Sequence, residues 1–285
     1  MEHYVFVYGT LLFGERNHRL VEDAHRVAKE AWMTGRLVDT TNGYPALVLD
    51  SDQTVYGEVY SVTGELLETI DELEGYVPGG ESHYERKVVE VKTDFGTLEA
   101  YTYYYESLKA EGLDEVPFGD WRLDQQLKDN VPYYFAYGSC MDDERINLAG
   151  KLEEFDRLGV GHLDGYELQF TVHRPDGGRA DIVETEGEAV EGVVYEITEA
   201  ARDYLYEREG VHAEMYRPAI VDVTYQGELV PMLTFIVIDK KDEIAPPAHY
   251  LTEILRGGAP DVSEAYLERV RVRAERLNGG EISGD

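Results

Sequence analysis

Two glutamates stand where a carboxylate is poorly suited to the backbone and well suited to moving a proton. Glu74 and Glu209 each precede a glycine, Gly75 or Gly210, that ends a short amphipathic helical pattern. A carboxylate there faces the negative end of the helix dipole, at a cost of about 0.3–1 kcal/mol; Lys or Asn suits the place better. The same field raises a carboxyl pKa, which fits a group that takes up and returns a proton near neutral pH. Asp71, Glu72 and Glu207 lie close by, so an indifferent surface acid is the plainer reading of either glutamate alone. The second candidate is the segment after each buried strand, Tyr8-Gly9-Thr10-Leu11 and Tyr137-Gly138-Ser139-Cys140. Glycine lets a ligand approach the backbone there, and free N–H groups at a following helix start hold anions or carbonyl oxygens. A lone Tyr-Gly-Thr is otherwise a tight turn. Tyr84 and Tyr216 form a third pair, each at the start of a strand beside Arg86 or Arg217. A strand tyrosine packing on a barrel accounts for them equally. Cys140 could serve as a thiol nucleophile, since a helix N-terminus lowers a thiol pKa. Leu11 holds the matching place in the first half, however, and no histidine lies near in sequence. The eight histidines show no metal-ligand spacing, and GVGHLDG at 159–165 lacks the lysine of a phosphate loop. No metal or cofactor is expected.

These candidates come in pairs because the chain repeats itself. YVFVYGTL at 4–11 returns as YYFAYGSCM at 133–141, and VYGEVYSV at 55–62 as VEGVVYEI at 190–197. IDELEGY at 70–76 returns as LYEREGV at 205–211, and HYERKVVEV at 83–91 as MYRPAIVDV at 215–223. GTLEAYTYYY, from 96, matches GELVPMLTFIV at 227–237. One order and nearly constant offsets through five blocks mark a duplication. The junction falls near 125–132, giving domains at 1–128 and 131–280. So short a link predicts that the two domains touch.

The elements that must position these residues follow from periodicity. Each copy opens with a buried strand, 4–8 or 133–137, and a charged helix is expected next, over roughly 16–31 or 141–151. WMTGRLVD, YPALVLD and TVYGEVYSV alternate as half-buried strands. A short helix follows in each copy. Thr63 caps the first, which carries Leu66, Leu67, Ile70 and Leu73 and stops at Gly75; Thr198 caps the second, which stops at Gly210. Two more strands close each copy. The tail reads as a short helix, AHYLTEILRGG, then a long one capped by Ser263 with Tyr266, Val270, Ala274 and Leu277 on one face, ended by Asn278-Gly279-Gly280 before a frayed EISGD. Strands dominate and parallel βαβ alternation is absent, so the expected class is α+β: two tandem small mixed β-barrel domains flanked by helices.

Length and composition agree. A chain of 285 residues suggests about two domains. The formal charge is −32: residues 1–130 carry 26 acids and 11 bases (−15), and residues 131–285 carry 32 and 15 (−17). Neither half offers a basic patch, so nucleic acid and anionic membranes are poor partners. One cysteine excludes an internal disulfide, the start lacks the form of a signal peptide, and no apolar run approaches a membrane span. The expectation is a cytoplasmic protein that acts on a small molecule. The 22 tyrosines suggest half-wet pockets where a ring packs and its hydroxyl finds a polar partner.

Taken together the motifs resemble the γ-glutamylcyclotransferase and AIG2-like superfamily. VYGTL at 7–11, GYPALV at 43–48, GEVY at 57–60 and DELEGY at 71–76, with Tyr84 and Arg86, resemble its γ-glutamylamine cyclotransferase branch. FAYGS at 135–139, GRADIV at 178–183, EGVVYEI at 191–197 and EREGV at 207–211, with Tyr216, resemble its γ-glutamylcyclotransferase branch. The resemblance covers nearly the whole chain. It implies a small mixed barrel with flanking helices and a γ-glutamyl amine or peptide as substrate. It also implies that Tyr8 to Leu11 and Tyr137 to Ser139 bind substrate, and that Glu74 and Glu209 act as general acid/base in releasing 5-oxoproline. Cys140 stands where the second branch usually has Asn, which puts substrate fit in that copy in question. A tandem binding module that senses γ-glutamyl or amino-acid ligands without turnover, and acyl transfer through Cys140, are the competing readings.

Overall fold

The computed structural model describes residues 2–128 and 133–279. The chain divides into two compact units, Met1–Asp129 and Asn130–Asp285. The expected junction after residue 128 and the frayed end from Gly280 lie outside the described residues.

In the first unit, β1 (Glu2–Val7), β2 (His25–Thr34), β5 (Thr54–Thr63), β6 (Glu85–Thr93) and β7 (Gly96–Tyr104) close into a barrel in the order β1-β5-β2-β6-β7. A separate hairpin joins β3 (Arg36–Asp39) to β4 (Pro45–Val48). β1 pairs antiparallel with β5 along its whole length, from Glu2↔Thr63 to Val7↔Glu58. Its other edge meets β7 in parallel, in register at Val5↔Tyr101 alone. Side-chain hydroxyls reinforce that short seam: Thr102 donates to the Phe6 carbonyl at 3.3 Å and Tyr8 to the Tyr103 carbonyl at 2.6 Å. Val5, Phe6, Val55, Val59, Val91 and Ala100 fill the core.

The second unit repeats this order. β8 (Tyr133–Ala136), β9 (Phe155–Arg174), β10 (Gly177–Ile197), β11 (Tyr216–Tyr225) and β12 (Glu228–Val237) close as β10-β8-β12-β11-β9. Its parallel seam is in register at Leu233↔Tyr134 and is held by the same device, Thr234 donating to the Phe135 carbonyl at 2.9 Å and Tyr137 to the Phe235 carbonyl at 2.5 Å.

The helices that carry the two glutamates form as their caps predict. In α1 (Gly64–Glu74), Thr63 accepts the Leu66 N–H and Gly75 ends the helix at φ 63°. In α4 (Glu199–Arg208), Thr198 accepts the Ala201 N–H, and Gly210 at φ 65° turns the chain away. Of the other helices, α2 (Trp121–Lys128) ends the first unit and α3 (Asp143–Leu148) follows the second substrate-loop candidate. After β12 come α5 (Ala248–Gly258) and α6 (Glu264–Gly279), which buries Tyr266, Val270 and Ala274 and has Ser263 accepting the Tyr266 N–H at 3.2 Å.

Three expectations are corrected. Residues 16–31 are not a helix: a 3-10 turn at His18–Leu20 leads into β2. Register shifts between Arg26 and Ala28 and between Ala28 and Ala31 break the period-two alternation of β2. The inward residues Ala28 and Ala31 therefore fall three apart, a spacing that fits a helix better than a strand. WMTGRLVD is likewise not one strand, since Gly35 separates β2 from β3. In the second unit the expected helix at 141–151 is only the short α3.

Gly57 and Gly192, aligned by the duplication, show why the motif around them recurs. A Cβ on Gly57 would stand 2.1 Å from the Val7 carbonyl oxygen and 3.0 Å from the Phe6 ring; on Gly192, 2.4 Å from the Ala136 oxygen and 2.7 Å from the Phe135 ring. Each glycine lets the strand that leads to the glutamate helix press against the strand that leads to the tyrosine loop. Gly57→Ala is expected to destabilise the first unit by about 3 kcal/mol or more, read from the urea midpoint of unfolding.

Candidate active site

At the end of the first barrel, β1 delivers Tyr8-Gly9-Thr10-Leu11 and α1 delivers Glu74 to the lining of one cavity of about 310 Å³. That volume lies in the range of small-molecule pockets. The chain after α1 is tied back to the helix end, the Tyr84 N–H donating to the Glu74 carbonyl at 3.2 Å and the His83 N–H to the Gly75 carbonyl at 2.9 Å. Glu74, His83 and Tyr84 are thereby fixed on one wall. Among the described residues, the amides of Gly9, Thr10 and Leu11 donate to no protein acceptor, so they are available to a ligand oxygen.

Glu74 is partly buried, and its carboxylate meets no cation within ion-pair distance and no hydrogen-bond donor among the described residues. Burial pushes its pKa up from 4.5 to about 7. The physical cause is therefore loss of water, where the sequence argument had invoked the helix dipole. Tyr8 and Tyr84 line the cavity with their rings. Their hydroxyls are committed to the Tyr103 and Pro45 carbonyls, each at 2.6 Å. Arg86 turns away from the cavity and pairs with Asp71 at 2.6 Å. Sequence reasoning missed Tyr44, whose hydroxyl lies 3.3 Å from His83 Nε2, and His83 itself, which also meets the Tyr105 hydroxyl at 3.0 Å. Burial and the nearby Lys109 charge lower the His83 pKa. The signal for His83 was its place directly before Tyr84.

The same residues converge in the second unit, but on almost no space. Tyr137, Gly138, Ser139, Cys140, Glu209 and Tyr216 surround a cavity of about 30 Å³, the room of a water or so. Two features close it. The carboxylate is occupied: the Cys140 thiol donates to Glu209 Oε1 at 3.0 Å, and the Arg208 guanidinium stands 3.5 Å from the same oxygen and 3.0 Å from Cys140 Sγ. Tyr250 of α5 joins the lining, its hydroxyl accepting the Ala180 N–H at 3.1 Å and standing 3.4 Å from where a Cβ on Gly138 would be. α5 is held there because Gly257 permits backbone contact with Met141 and Asp142, and because Arg157 donates to the Gly257 and Met141 carbonyls at 2.7 and 2.8 Å. Burial drives the Cys140 pKa up to about 12, which speaks further against the competing reading of it as a thiol nucleophile. The Tyr216 hydroxyl donates to the Ala180 carbonyl at 2.7 Å, the counterpart of Tyr84 to Pro45. Among the described residues, no helix is long and apolar enough to cross a membrane.

A barrel with a glycine loop facing a helix-end glutamate, built twice, finds its counterparts among known proteins. The family described as gamma-glutamyl cyclotransferase, AIG2-like, matches residues 5–123, and the AIG2-like family matches residues 189–270. YkqA of Bacillus subtilis is 38% identical over 285 residues, spanning 98% of this chain and 100% of that protein. Its crystal structure superposes with a TM-score of 0.86 at 37% identity, covering 97% of this chain and 99% of that one. The chain belongs to this tandem γ-glutamylcyclotransferase and AIG2-like family. Over 120 residues the chain is 41% identical to the gamma-L-glutamyl-butirosin B gamma-glutamyl cyclotransferase of Niallia circulans, covering 41% of this chain and 74% of that protein. Human gamma-glutamylcyclotransferase is 32% identical over 159 residues, 53% of this chain and 82% of its own length.

Proposed function

We propose that the protein is a γ-glutamylcyclotransferase whose chemistry is done by the first unit, with domain boundaries at 1–128 and 131–280. The observation that carries this reading is the unpartnered carboxyl of Glu74 lining the same roomy pocket as the free amides of Gly9, Thr10 and Leu11.

The reacting groups of a γ-glutamyl compound are already in one molecule. Its α-amine can attack its own γ-carbonyl to close a five-membered ring, and the site has mainly to hold that rotamer. Glu74 takes a proton from the α-ammonium. The freed nitrogen bonds to the γ-carbon, and the developing oxyanion sits on the loop amides, each such donor contributing about 3 kcal/mol in comparable sites. Protonated Glu74 then gives its proton to the departing nitrogen as the old C–N bond breaks, and the carboxylate so restored passes the ring nitrogen's remaining extra proton to the released amine, which leaves as an ammonium. One C–N bond forms and one breaks, and no water is consumed. The walls of Tyr8 and Tyr84 exclude solvent from the ring being formed. In the second unit, Arg208 and Cys140 hold the equivalent carboxylate and Tyr250 takes the substrate's place, which suits a non-catalytic copy.

The test is incubation of the full chain with γ-glutamyl amines and dipeptides and detection of 5-oxoproline by mass spectrometry. Product from at least one of them is expected. Ligand binding without product from any would instead favour a sensor.

A further inference from the structure

Two basic side chains line the first pocket, His83 and Arg16. His83 is occupied by the hydroxyls of Tyr44 and Tyr105. Arg16 is different. It lies on the segment after the glycine loop, exposed at the pocket rim, and among the described residues it has no ion pair and no hydrogen bond. Gly43 lies across from it at φ 79°, where a Cβ would come within 3.2 Å of the guanidinium. Glu15, beside it in sequence, feels Arg122 more strongly than Arg16. Other arginines of this acidic unit are spent on carboxylates: Arg26 on Glu58 at 3.0 Å and Arg86 on Asp71 at 2.6 Å. A permanent cation left open at a pocket mouth, in a unit of formal charge −15, selects for an anionic group on whatever enters.

We infer that Arg16 recognises a carboxylate on the leaving side of the substrate, so that the first unit prefers γ-glutamyl amino acids and peptides over γ-glutamyl amines without an acidic group. The inference rests on the cyclotransferase reading and assigns its substrate class. The reacting carbonyl must lie where the Gly9 to Leu11 amides and Glu74 converge, inside the pocket. The glutamyl α-carboxylate shares a carbon with the attacking amine and is held at that depth. Only the leaving part extends to the rim, and its carboxylate is the one within reach of Arg16.

The test compares γ-glutamyl-alanine with γ-glutamyl-alaninamide, which differ only in that terminal charge. In wild type the acid is preferred. In Arg16→Gln the ratio of kcat/KM, acid over amide, is expected to fall about tenfold, carried by KM. Arg16→Lys restores part of the ratio, and Arg16→Glu lowers it further. A ratio unchanged in both the Gln and Glu variants overturns the inference while leaving the cyclotransferase reading intact. So does an equal loss for both substrates, which would assign Arg16 to the shared γ-glutamyl part. Failure of wild type to release 5-oxoproline from either compound removes the cyclotransferase reading, and this inference with it.

Discussion

Glu74→Gln is expected to lower 5-oxoproline release by about 10²–10⁴-fold, and Glu209→Gln to change it less than about twofold. Glutamine keeps the shape of the side chain but can neither accept the ammonium proton nor return one to the leaving nitrogen. At position 209 there is nothing to lose, because the carboxylate is held by Cys140 and Arg208 in a cavity of about 30 Å³. Stability measurements separate this result from misfolding. The folded-state pKa of Glu74, about 7, exceeds its ordinary 4.5. The stability this represents is present in full below about pH 4.5 and is lost as pH rises through about 7, where the buried carboxyl must ionise. Glutamine never ionises. The Glu74→Gln variant at about pH 8 is therefore expected to be more stable than wild type, by up to about 3 kcal/mol, while inactive. An active Glu74→Gln protein, or one inactivated only by Glu209→Gln, would place the chemistry elsewhere.

The second large effect is in pH. Below about 7 the fraction of Glu74 able to act as base falls tenfold with each unit, so kcat/KM at about pH 5 is expected to be roughly a hundredth of its plateau. The inflection belongs to the free enzyme and follows the burial that creates it. A profile of kcat/KM from about pH 5 to about pH 9 checks this directly. An inflection near the ordinary 4.5 would mean that the carboxyl is hydrated during turnover and that burial does not tune it.

Much of this arrangement is legible from residue pattern alone. Thr63 and Thr198 cap, Gly75 and Gly210 stop, and the apolar stripes between them define the two helices that hold the glutamates. The tyrosine loops follow from strands that end at glycine. What local pattern cannot show is register and long-range occupancy. β2 imitates a helix because bulges insert residues into its alternation, and a bulge depends on the partner strand. Tyr250 reaches the second pocket from a helix after the barrel has closed, so nothing near Glu209 announces it. The quenching of Glu209 was closer to the surface of the sequence. The copies differ at Leu73 against Arg208, next to the glutamates, and at Leu11 against Cys140, at the end of the loops, and these are the residues that contact the second carboxylate.

The parallel seam of the first barrel carries one further consequence. β1 is anchored along six residue pairs to β5 but meets β7 in register at one, with the Tyr8 and Thr102 hydroxyls supplying the remaining bonds. Tyr8 is also a wall of the pocket. Thermal breathing that parts β1 from β7 thus dismantles the binding cavity, and an occupant works as a clasp across a short join of the barrel. Saturating 5-oxoproline is expected to slow amide hydrogen exchange in β1 and β7 ahead of every other strand, leaving β8 and β12 of the shut unit untouched.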